Sequence, residues 1–382
     1  MILYLSAGTE KEFFRQCQEK GYINGGYQAQ KFNQMIIEGL AMQTNVTAIS
    51  NPPFALGLQN KILAERICND DTTYISLGNN PGKLHRILNI VHMLKNGMKV
   101  CKDYPVRAIV CDAINPLASL TCGILHLLYR IPQVAIVTDI PGIMSEGKDS
   151  FFSRLASFLL KRYQGYVLLT EAMNSLVNPT HQPYIIMEGL CDVKEMEQMQ
   201  HTTKKTICLY SGSLFPNTGI ENLIYGFREK NIEDYQLHIY GNGPLVETLC
   251  KTNDDNVKYC GVLTNQEIVS RQKEAKLLIN PRPISLRYAE YSFPSKIMEY
   301  MVSGTPVLST KLAGIPEEYR PYMYWIDDDS KEGIATAIQE VLSIPENVRD
   351  TKGHDARKFV LEKKNNIYQT KRILDLIERI RR

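Results

Sequence analysis

Apolar and polar positions follow one another along the chain in a regular succession of short and long segments. Short apolar runs, of the kind found in buried strands, are separated by longer stretches whose apolar residues recur at helical spacing. The runs in the first half are MILYLS, VTAIS, TYISL, RAIVCDA, QVAIVTD, YVLLT and YIIMEG. Two of the helical stretches are AQKFNQMIIEGLAMQ and KLHRILNIVHMLKNGMKV. This alternation predicts a parallel sheet with helices on both faces.

The alternation stops at a polar, weakly patterned segment, CDVKEMEQMQHTTKK, and then begins again. We interpret that segment as an interdomain linker. The predicted organisation is a first domain over 1–190, a linker over 191–205, a second domain over 206–355 and a C-terminal helix over 356–382 that can cross back to the first domain. The predicted fold class is α/β, with two Rossmann-like, doubly wound domains facing each other across a cleft. Ligands of such sheets bind at the carboxyl ends of the strands, so the cleft is the expected site.

Composition narrows the class of protein. Of 382 residues, 44% are hydrophobic and 22% charged, as in soluble globular proteins. The formal net charge of +3 is spread over both halves, which argues against a nucleic-acid partner. The nine cysteines show no metal-like spacing and suit a reducing cytoplasm. The first residues lack the features of a signal peptide, and no apolar run has the length of a membrane span. We expect a cytoplasmic protein, with contact to the inner face of the membrane left open.

The stretch FPSKIMEYMVSG predicts a short helix between Pro294 and Gly304. Its polar face would carry Lys296, Glu299, Tyr300 and Ser303, and its apolar face Ile297, Met298, Met301 and Val302. The helix follows the apolar run KLLINPRP, so its N–H groups, Ser295 among them, would lie beyond a strand's carboxyl end, where they suit a phosphate. The alternative is an ordinary solvated Lys–Glu pair.

Six ordered segments of the second half resemble family 4 retaining glycosyltransferases of the GT-B fold. They are LYSGSL, GIENLIYGF, LHIYGNGP, VKYCGVL, LLINPRP and FPSKIMEYMVSGTPVLST. Four segments of the first half match the family more loosely: GGYQAQKFN, VTDIPG, LLTEAM and IMEGLCD. The FPSK, EY and SGTPV pieces resemble the branch that builds bacterial surface polysaccharides such as capsule and exopolysaccharide. The resemblance implies transfer of a sugar, with retained configuration, from a nucleotide diphosphate sugar to a saccharide or lipid-linked saccharide, and we expect the donor to be UDP-linked. It implies no further cofactor.

The resemblance assigns roles to several donor-binding residues. Of the family's two glutamates, the second, which contacts the ribose, is Glu299. The position of the first, which contacts the sugar, is Tyr291, and Glu290 is one residue out of register. The family's arginine and lysine are replaced by Ser213 and Thr218. The remaining expected donor contacts are Pro294, Ser295, Gly212, Ser213, Gly241, Gly25 and Gly26. A Gly-Gly pair taken alone is usually only a turn.

The missing cations leave the diphosphate to other basic residues. We expect Arg282 and Lys296 to bind it, with Arg287 as a weaker candidate. Arg282 lies between two prolines after a buried strand, and its alternative is a surface position. No D-x-D motif or histidine cluster offers metal ligands near the second half, so metal-independent chemistry is expected. Arg282 and Lys296 are therefore the predicted catalytic residues of this half.

Asp139, at the end of the strand QVAIVTD, is the catalytic candidate of the first half. It can bind an acceptor hydroxyl or act as a base, and its alternative role is to cap the next turn. Asp112 is a similar but weaker case. The stretch FFSRLASFLLKRY, 151–163, can lie on an anionic membrane or be a buried core helix.

Other functions remain open. An inactive sugar-nucleotide-binding subunit is compatible with the absent glutamate and cations, and a GT-B epimerase or hydrolase would need carboxylates that the sequence does not place. A dinucleotide oxidoreductase is disfavoured because no G-x-G-x-x-G follows the first strand.

Overall fold

The computed structural model describes residues 1–23, 25–55, 62–69, 71–78, 85–140, 157–194, 202–230, 232, 234–251, 255–286 and 288–381. The chain divides into two compact units. The first comprises Met1–Leu190 and Asn366–Arg382, and the second comprises Cys191–Asn365. Both are α/β units built on a sheet, as the alternating pattern predicts.

The first unit contains an eight-stranded sheet in the order β3-β4-β2-β1-β5-β6-β7-β8. Its strands are β1 Ile2–Ser6, β2 Val46–Ser50, β3 Glu65–Asn69, β4 Thr72–Ser76, β5 Ala108–Asp112, β6 Gln133–Val137, β7 Gly165–Leu168 and β8 Tyr184–Ile186. Its helices before the linker are α1 Lys11–Glu19, α2 Tyr27–Ala41, α3 His85–Asp103, α4 Pro116–Tyr129 and α5 Glu171–Val177. Every residue of β1, β2 and β6 is buried, because helices cover both faces of the sheet.

One strand of this sheet departs from the prediction. β3 runs antiparallel to β4 at the edge of the sheet. Its sequence, ERICN, is polar and mostly exposed, so it lacks the apolar run by which the other strands were recognised. An edge strand needs to bury only part of its surface, and only the pairing with β4 reveals it.

The second unit contains a six-stranded parallel sheet in the order β11-β10-β9-β12-β13-β14. Its strands are β9 Ile207–Ser211, β10 Gln236–Tyr240, β11 Val257–Tyr259, β12 Leu277–Asn280, β13 Val307–Thr310 and β14 Tyr324–Ile326. Its helices are α6 Ile220–Glu229, α7 Val246–Lys251, α8 Asn265–Glu274, α9 Ser295–Ser303, α10 Lys331–Ser343 and α11 Glu346–Lys363. Numbered by appearance, the order is the 3-2-1-4-5-6 of a Rossmann sheet. The strand order reverses between β9 and β12, so a crevice opens at their carboxyl ends.

The predicted single helix over 356–382 is wrong, because the structure contains two helices there. α11 ends at Lys363, and α12 Asn366–Arg381 follows after a break. The Asn365 side chain donates to the Leu361 carbonyl at 2.6 Å, which satisfies an acceptor that a continuing helix would use. The second unit therefore extends to Asn365, ten residues beyond the predicted boundary.

α12 packs against α2 in the first unit. A Cβ atom on Gly39 would lie 2.5 Å from the Asn366 carbonyl oxygen, so the two helices approach too closely for a side chain at that position. The Gln43 amide donates to the Thr370 hydroxyl at 2.8 Å. Within the described ranges, no helix combines the length and apolarity needed to span a bilayer.

Candidate active site

The loop that follows β9 lies against the loop that follows β10. The Gly212 N–H donates to the Tyr240 carbonyl at 3.0 Å. Gly241 has a φ of 142°, and a Cβ atom built on it would lie 1.7 Å from the Gly212 oxygen, so no side chain fits there. The exposed Ser213 makes no backbone N–H hydrogen bond to any residue that the structure describes. The predicted positions 212, 213 and 241 are thus brought together around an open backbone donor of the kind that binds anions.

Tyr300 is the main correction to the prediction for α9. The helical pattern places it on the polar face, whereas the structure leaves only 1% of it exposed. Its hydroxyl accepts from the Ser211 N–H at 2.8 Å and lies 3.2 Å from the Ser211 carbonyl, to which it donates. Burial raises the Tyr300 pKa, so the hydroxyl stays protonated. The helix pattern could not reveal this role, because the partner is at the end of a strand distant in sequence.

Two further tyrosine hydroxyls reach the backbone of the same loops. Tyr210 donates to the Ser213 carbonyl at 2.8 Å, and Tyr259 donates to the Gly241 carbonyl at 3.0 Å. Burial raises the Tyr210 pKa, which likewise keeps its proton in place. The sequence pattern indicates neither residue as part of the site, since tyrosines in or near strands are ordinarily explained by packing.

α6 begins against the segment that follows β12. Gly219, the residue before α6, has a φ of 76°, and a Cβ atom on it would lie 1.9 Å from the Pro281 carbonyl oxygen. The chain after β9 and the chain after β12 are therefore in direct contact, as expected at the point where the strand order reverses.

Arg282 follows β12 and is half-buried. Its guanidinium carbon lies 4.9 Å from the centre of the Tyr288 ring, and its carbonyl accepts from the Thr310 hydroxyl at 2.6 Å. Burial raises the Tyr210 pKa, and the Thr218 hydroxyl and the Arg282 charge act in the opposite direction. The weaker candidate Arg287 lies outside the described residues.

The N-terminus of α9 has no capping side chain, because Pro294 occupies the N-cap position. The helix starts one residue later than predicted and ends at Gly304, which has a φ of 77°.

Lys296 Nζ lies 2.9 Å from Glu299 Oε2, and their side chains are 31% and 22% exposed. The Lys–Glu pair of the alternative interpretation therefore forms, and both side chains remain partly exposed. The four residues of the predicted apolar face are buried.

Tyr291 and Thr218, which stand at positions where the family has charged residues, make hydrogen bonds to nearby residues. The Tyr291 hydroxyl bonds to the Glu290 carboxylate, which raises the Tyr291 pKa. The Thr218 hydroxyl donates to the Phe215 carbonyl at 2.6 Å. Neither residue supplies the charge that the family has at that position.

The remaining candidates belong to the first unit. Gly25 and Gly26 have φ values of 89° and 73° just before α2, so the pair forms a turn that only glycine adopts easily.

Asp139 Oδ1 accepts from the Ile140 N–H at 2.7 Å, which is the local capping role. The carboxyl group is half-buried, and burial raises its pKa.

Asp112, at the end of β5, has the most deeply buried carboxyl group of the candidates. Burial raises its pKa to about 6, while the nearby donors of Ile114, Asn33 and Asn115 act in the opposite direction. Its Oδ1 atom has no hydrogen-bond partner among the residues that the structure describes, and the Asn115 N–H donates to the Asp112 backbone carbonyl at 3.1 Å. Asn33 also accepts from the Tyr4 hydroxyl at 2.7 Å. The Tyr4–Asn33 bond thus joins β1 to α2 within the first unit.

Comparison with known proteins identifies the second unit. Residues 192–359 match the family described as glycosyl transferases group 1. No curated protein sequence matches the chain. Among solved structures, sucrose-phosphate synthase from Thermosynechococcus elongatus superposes with a TM-score of 0.68 at 14% identity, over 100% of this chain and 99% of that one.

Two further structures have the same fold. Alr3699/HepE from Anabaena, solved in complex with UDP, has a TM-score of 0.63 at 14% identity over 99% of each chain. The α,α-trehalose 6-phosphate synthase from Burkholderia multivorans has a TM-score of 0.65 at 9% identity, over 100% of this chain and 98% of that one. Residues 192–359 therefore match a glycosyl transferases group 1 domain, in a chain that has the fold of GT-B glycosyltransferase structures.

Proposed function

We propose that the chain transfers a sugar from a UDP-sugar to a saccharide hydroxyl with retention of configuration. The observation that carries the proposal is the grouping at the carboxyl edge of the second sheet. There the open Ser213 N–H, the half-buried Arg282 and the uncapped N-terminus of α9 offer positive partners to a diphosphate. The Glu299 carboxylate, one turn into the same helix, can accept ribose hydroxyls.

The comparisons support the choice of nucleotide. HepE has been solved with UDP, with UDP and glucose, and with UDP-glucose. The same kind of donor for this chain is part of the proposal. The identity of the sugar depends on Tyr291, because its hydroxyl stands where the family has a carboxylate.

The proposed catalysis stabilises the leaving diphosphate without a metal ion. Arg282 can present a planar fork to phosphate oxygens, and Lys296 lies in the first turn of α9, where the helix N-terminus favours the same anion by about 0.3–1 kcal/mol. Charge that grows during bond cleavage is stabilised most in the transition state, so Arg282→Ala and Lys296→Ala should slow transfer more than they weaken donor binding. Loss of activity in excess EDTA, or near-normal rates in both variants, would contradict this mechanism.

We further propose that Asp139 serves the acceptor. Support comes from its half-buried carboxyl group after β6 and from the raised pKa that burial gives it. Asp139→Asn should keep UDP affinity and reduce transfer. A variant that transfers at the normal rate, or one that loses UDP affinity, would exclude this role.

The proposed acceptor is a lipid-linked saccharide of a cell-surface glycan, at the inner face of the membrane. Leu127, Leu128 and Phe158 are 78%, 58% and 54% exposed, and the Arg162 guanidinium carbon lies 4.0 Å from the centre of the Phe158 ring. Leu160 of the same stretch is buried, and residues 151–156 lie outside the described ranges. Exposed apolar side chains and a basic group beside one of them favour contact with anionic lipid. Vesicles of phosphatidylglycerol should sediment the chain, and vesicles of phosphatidylcholine should not.

The test of the function has two steps. A panel of nucleotide sugars is screened for protection against thermal unfolding, and the best donor is then incubated with saccharide acceptors while released UDP is measured. UDP-sugar binding with acceptor-dependent release is the expected result. Binding without any turnover would favour the inactive binding subunit, and conversion of the donor without acceptor would favour an epimerase or hydrolase. Protection by no UDP-sugar would contradict the proposal.

A further inference from the structure

Three tyrosine hydroxyls bond to backbone groups at the carboxyl ends of β9 and β10. They belong to Tyr210, Tyr259 and Tyr300, which we name the tyrosine clamp. We propose that the clamp positions the donor-binding loops, with each hydroxyl acting through the backbone and none touching the substrate. The inference deepens the proposed function and rests on it.

The physical reason lies in the geometry of a sheet edge. The last carbonyls of parallel strands have no N–H partner from the next strand and must bond to water or to a side chain. The carbonyls of Ser211, Ser213 and Gly241 instead accept from hydroxyls of the clamp, at 3.2, 2.8 and 3.0 Å. A tyrosine ring packed in the core is stiff, so its hydroxyl fixes the loop more firmly than a mobile water would.

Tyr300 connects the loop after β9 to the charged face of α9. It follows Glu299 directly and lies one turn after Lys296, while its hydroxyl holds both backbone groups of Ser211. Ser211 is held again through its own hydroxyl, which accepts from the Gln272 amide at 3.3 Å. A shift of the loop therefore requires breaking hydrogen bonds to two helices.

Tyr210 fixes the other end of the short loop. Its hydroxyl donates to the carbonyl of Ser213, whose N–H is the open donor. A Cβ atom on Gly212 would lie 2.9 Å from the same hydroxyl oxygen, so the ring and the loop are in close contact. The Ser213 carbonyl and the Ser213 N–H belong to adjacent peptide units joined at the Ser213 Cα, so the bond to Tyr210 restrains the direction of the N–H donor through that one residue.

The test compares Tyr300→Phe and Tyr210→Phe with Tyr319→Phe. Tyr319 is a matched control because it is 0% exposed in the same unit and packs against Phe293 and Phe359, each with ring centres 5.3 Å apart from it. Amide hydrogen exchange over 211–214 is measured without nucleotide, and UDP affinity is measured by calorimetry. We expect exchange about tenfold faster and UDP affinity about tenfold weaker in the two clamp variants, and no local change in the control.

Each outcome bears on a separate claim. Normal UDP affinity in both clamp variants would contradict the proposed positioning role, even if amide exchange becomes faster. The loop geometry would then have no effect on nucleotide binding. A wild-type chain that binds no UDP would overturn the proposed function and the clamp's role with it. Should Tyr300→Phe fail to fold, Tyr210→Phe, which removes a single loop contact, decides the question.

Discussion

At the scale of single residues, Glu299 is the proposed donor contact whose substitution has the clearest expected consequence. The Glu299 side chain is 22% exposed, and its Oε2 atom lies 2.9 Å from Lys296 Nζ. In the proposed complex, ribose hydroxyls would donate hydrogen bonds to this carboxylate. Glu299→Ala should weaken UDP binding ten- to hundredfold, since a hydrogen bond to a charged group contributes about 1.5–3 kcal/mol. Calorimetric titration with UDP measures the change.

The control for this variant is Glu317→Ala. That carboxylate forms an exposed ion pair with Arg320 at 2.6 Å and has no proposed role, so its loss should leave UDP affinity unchanged. Equal affinities of wild type and Glu299→Ala would remove the ribose role.

Asp112 gives a prediction for stability against pH. Its folded pKa of about 6 lies above the ordinary 3.8, so the folded state favours the protonated form. Stability from this group is full below the ordinary value and is lost as pH rises from there to about 6, by up to about 3 kcal/mol. Asp112→Asn keeps the shape of the side chain and does not titrate.

The unfolding free energy of Asp112→Asn relative to wild type should therefore rise between pH 4 and pH 7. Denaturant titrations at several pH values measure the difference, in which the titration of other groups cancels. A constant difference over that range would show that the carboxyl group is ionised in the folded chain at no cost.

At the scale of elements, the site depends on how closely two loops approach. Gly241→Ala should disrupt the loops after β9 and β10, because its Cβ atom would lie 1.7 Å from the Gly212 carbonyl oxygen and backbone must move. Gly261→Ala is the matched control. Gly261 also has a positive φ, 81°, but nothing lies within 4 Å of its Cβ position.

The control should cost only the backbone strain of about 1 kcal/mol. The Gly241 variant should lose several-fold more stability and most of its UDP affinity, as measured by thermal unfolding and titration with UDP. Equal effects of the two substitutions would mean that the close contact between the loops is relaxed easily and does not shape the site.

At the scale of the whole molecule, the last helix of the chain stabilises the first unit. Ile373, Leu376 and Ile377 of α12 are buried in its core. Ending the chain after Asn365 should destabilise that unit by several kcal/mol, at roughly 1.5–3 kcal/mol for each large apolar side chain. Limited proteolysis should then cleave the first unit rapidly while the second unit persists and still binds UDP.

Removal of only the last two residues is the control for that truncation, because Arg381 is exposed. A chain ending at Asn365 that resists protease as well as the full chain does would show that α12 adds little to the first unit.

The sequence by itself determined the α/β class, the succession of buried strands and the apolar face of α9, because these follow from local periodicity. The resemblance of its segments to known glycosyltransferases pointed to Gly212, Gly241 and Glu299, and the position of Arg282 after a buried strand made it a candidate. It did not show the exposed edge strand β3 or the break after Lys363, where pairing and a side-chain bond outweigh the local pattern.

Only the tertiary structure decided what Tyr300 does. A helical wheel records which residues share a face but not which neighbour that face meets, and Tyr300 meets the end of β9. The same holds for Tyr210 and Tyr259, whose hydroxyls bond to loop carbonyls. Hydrogen bonds between segments distant in sequence depend on the packing of the sheet, so no pattern along the chain contains them.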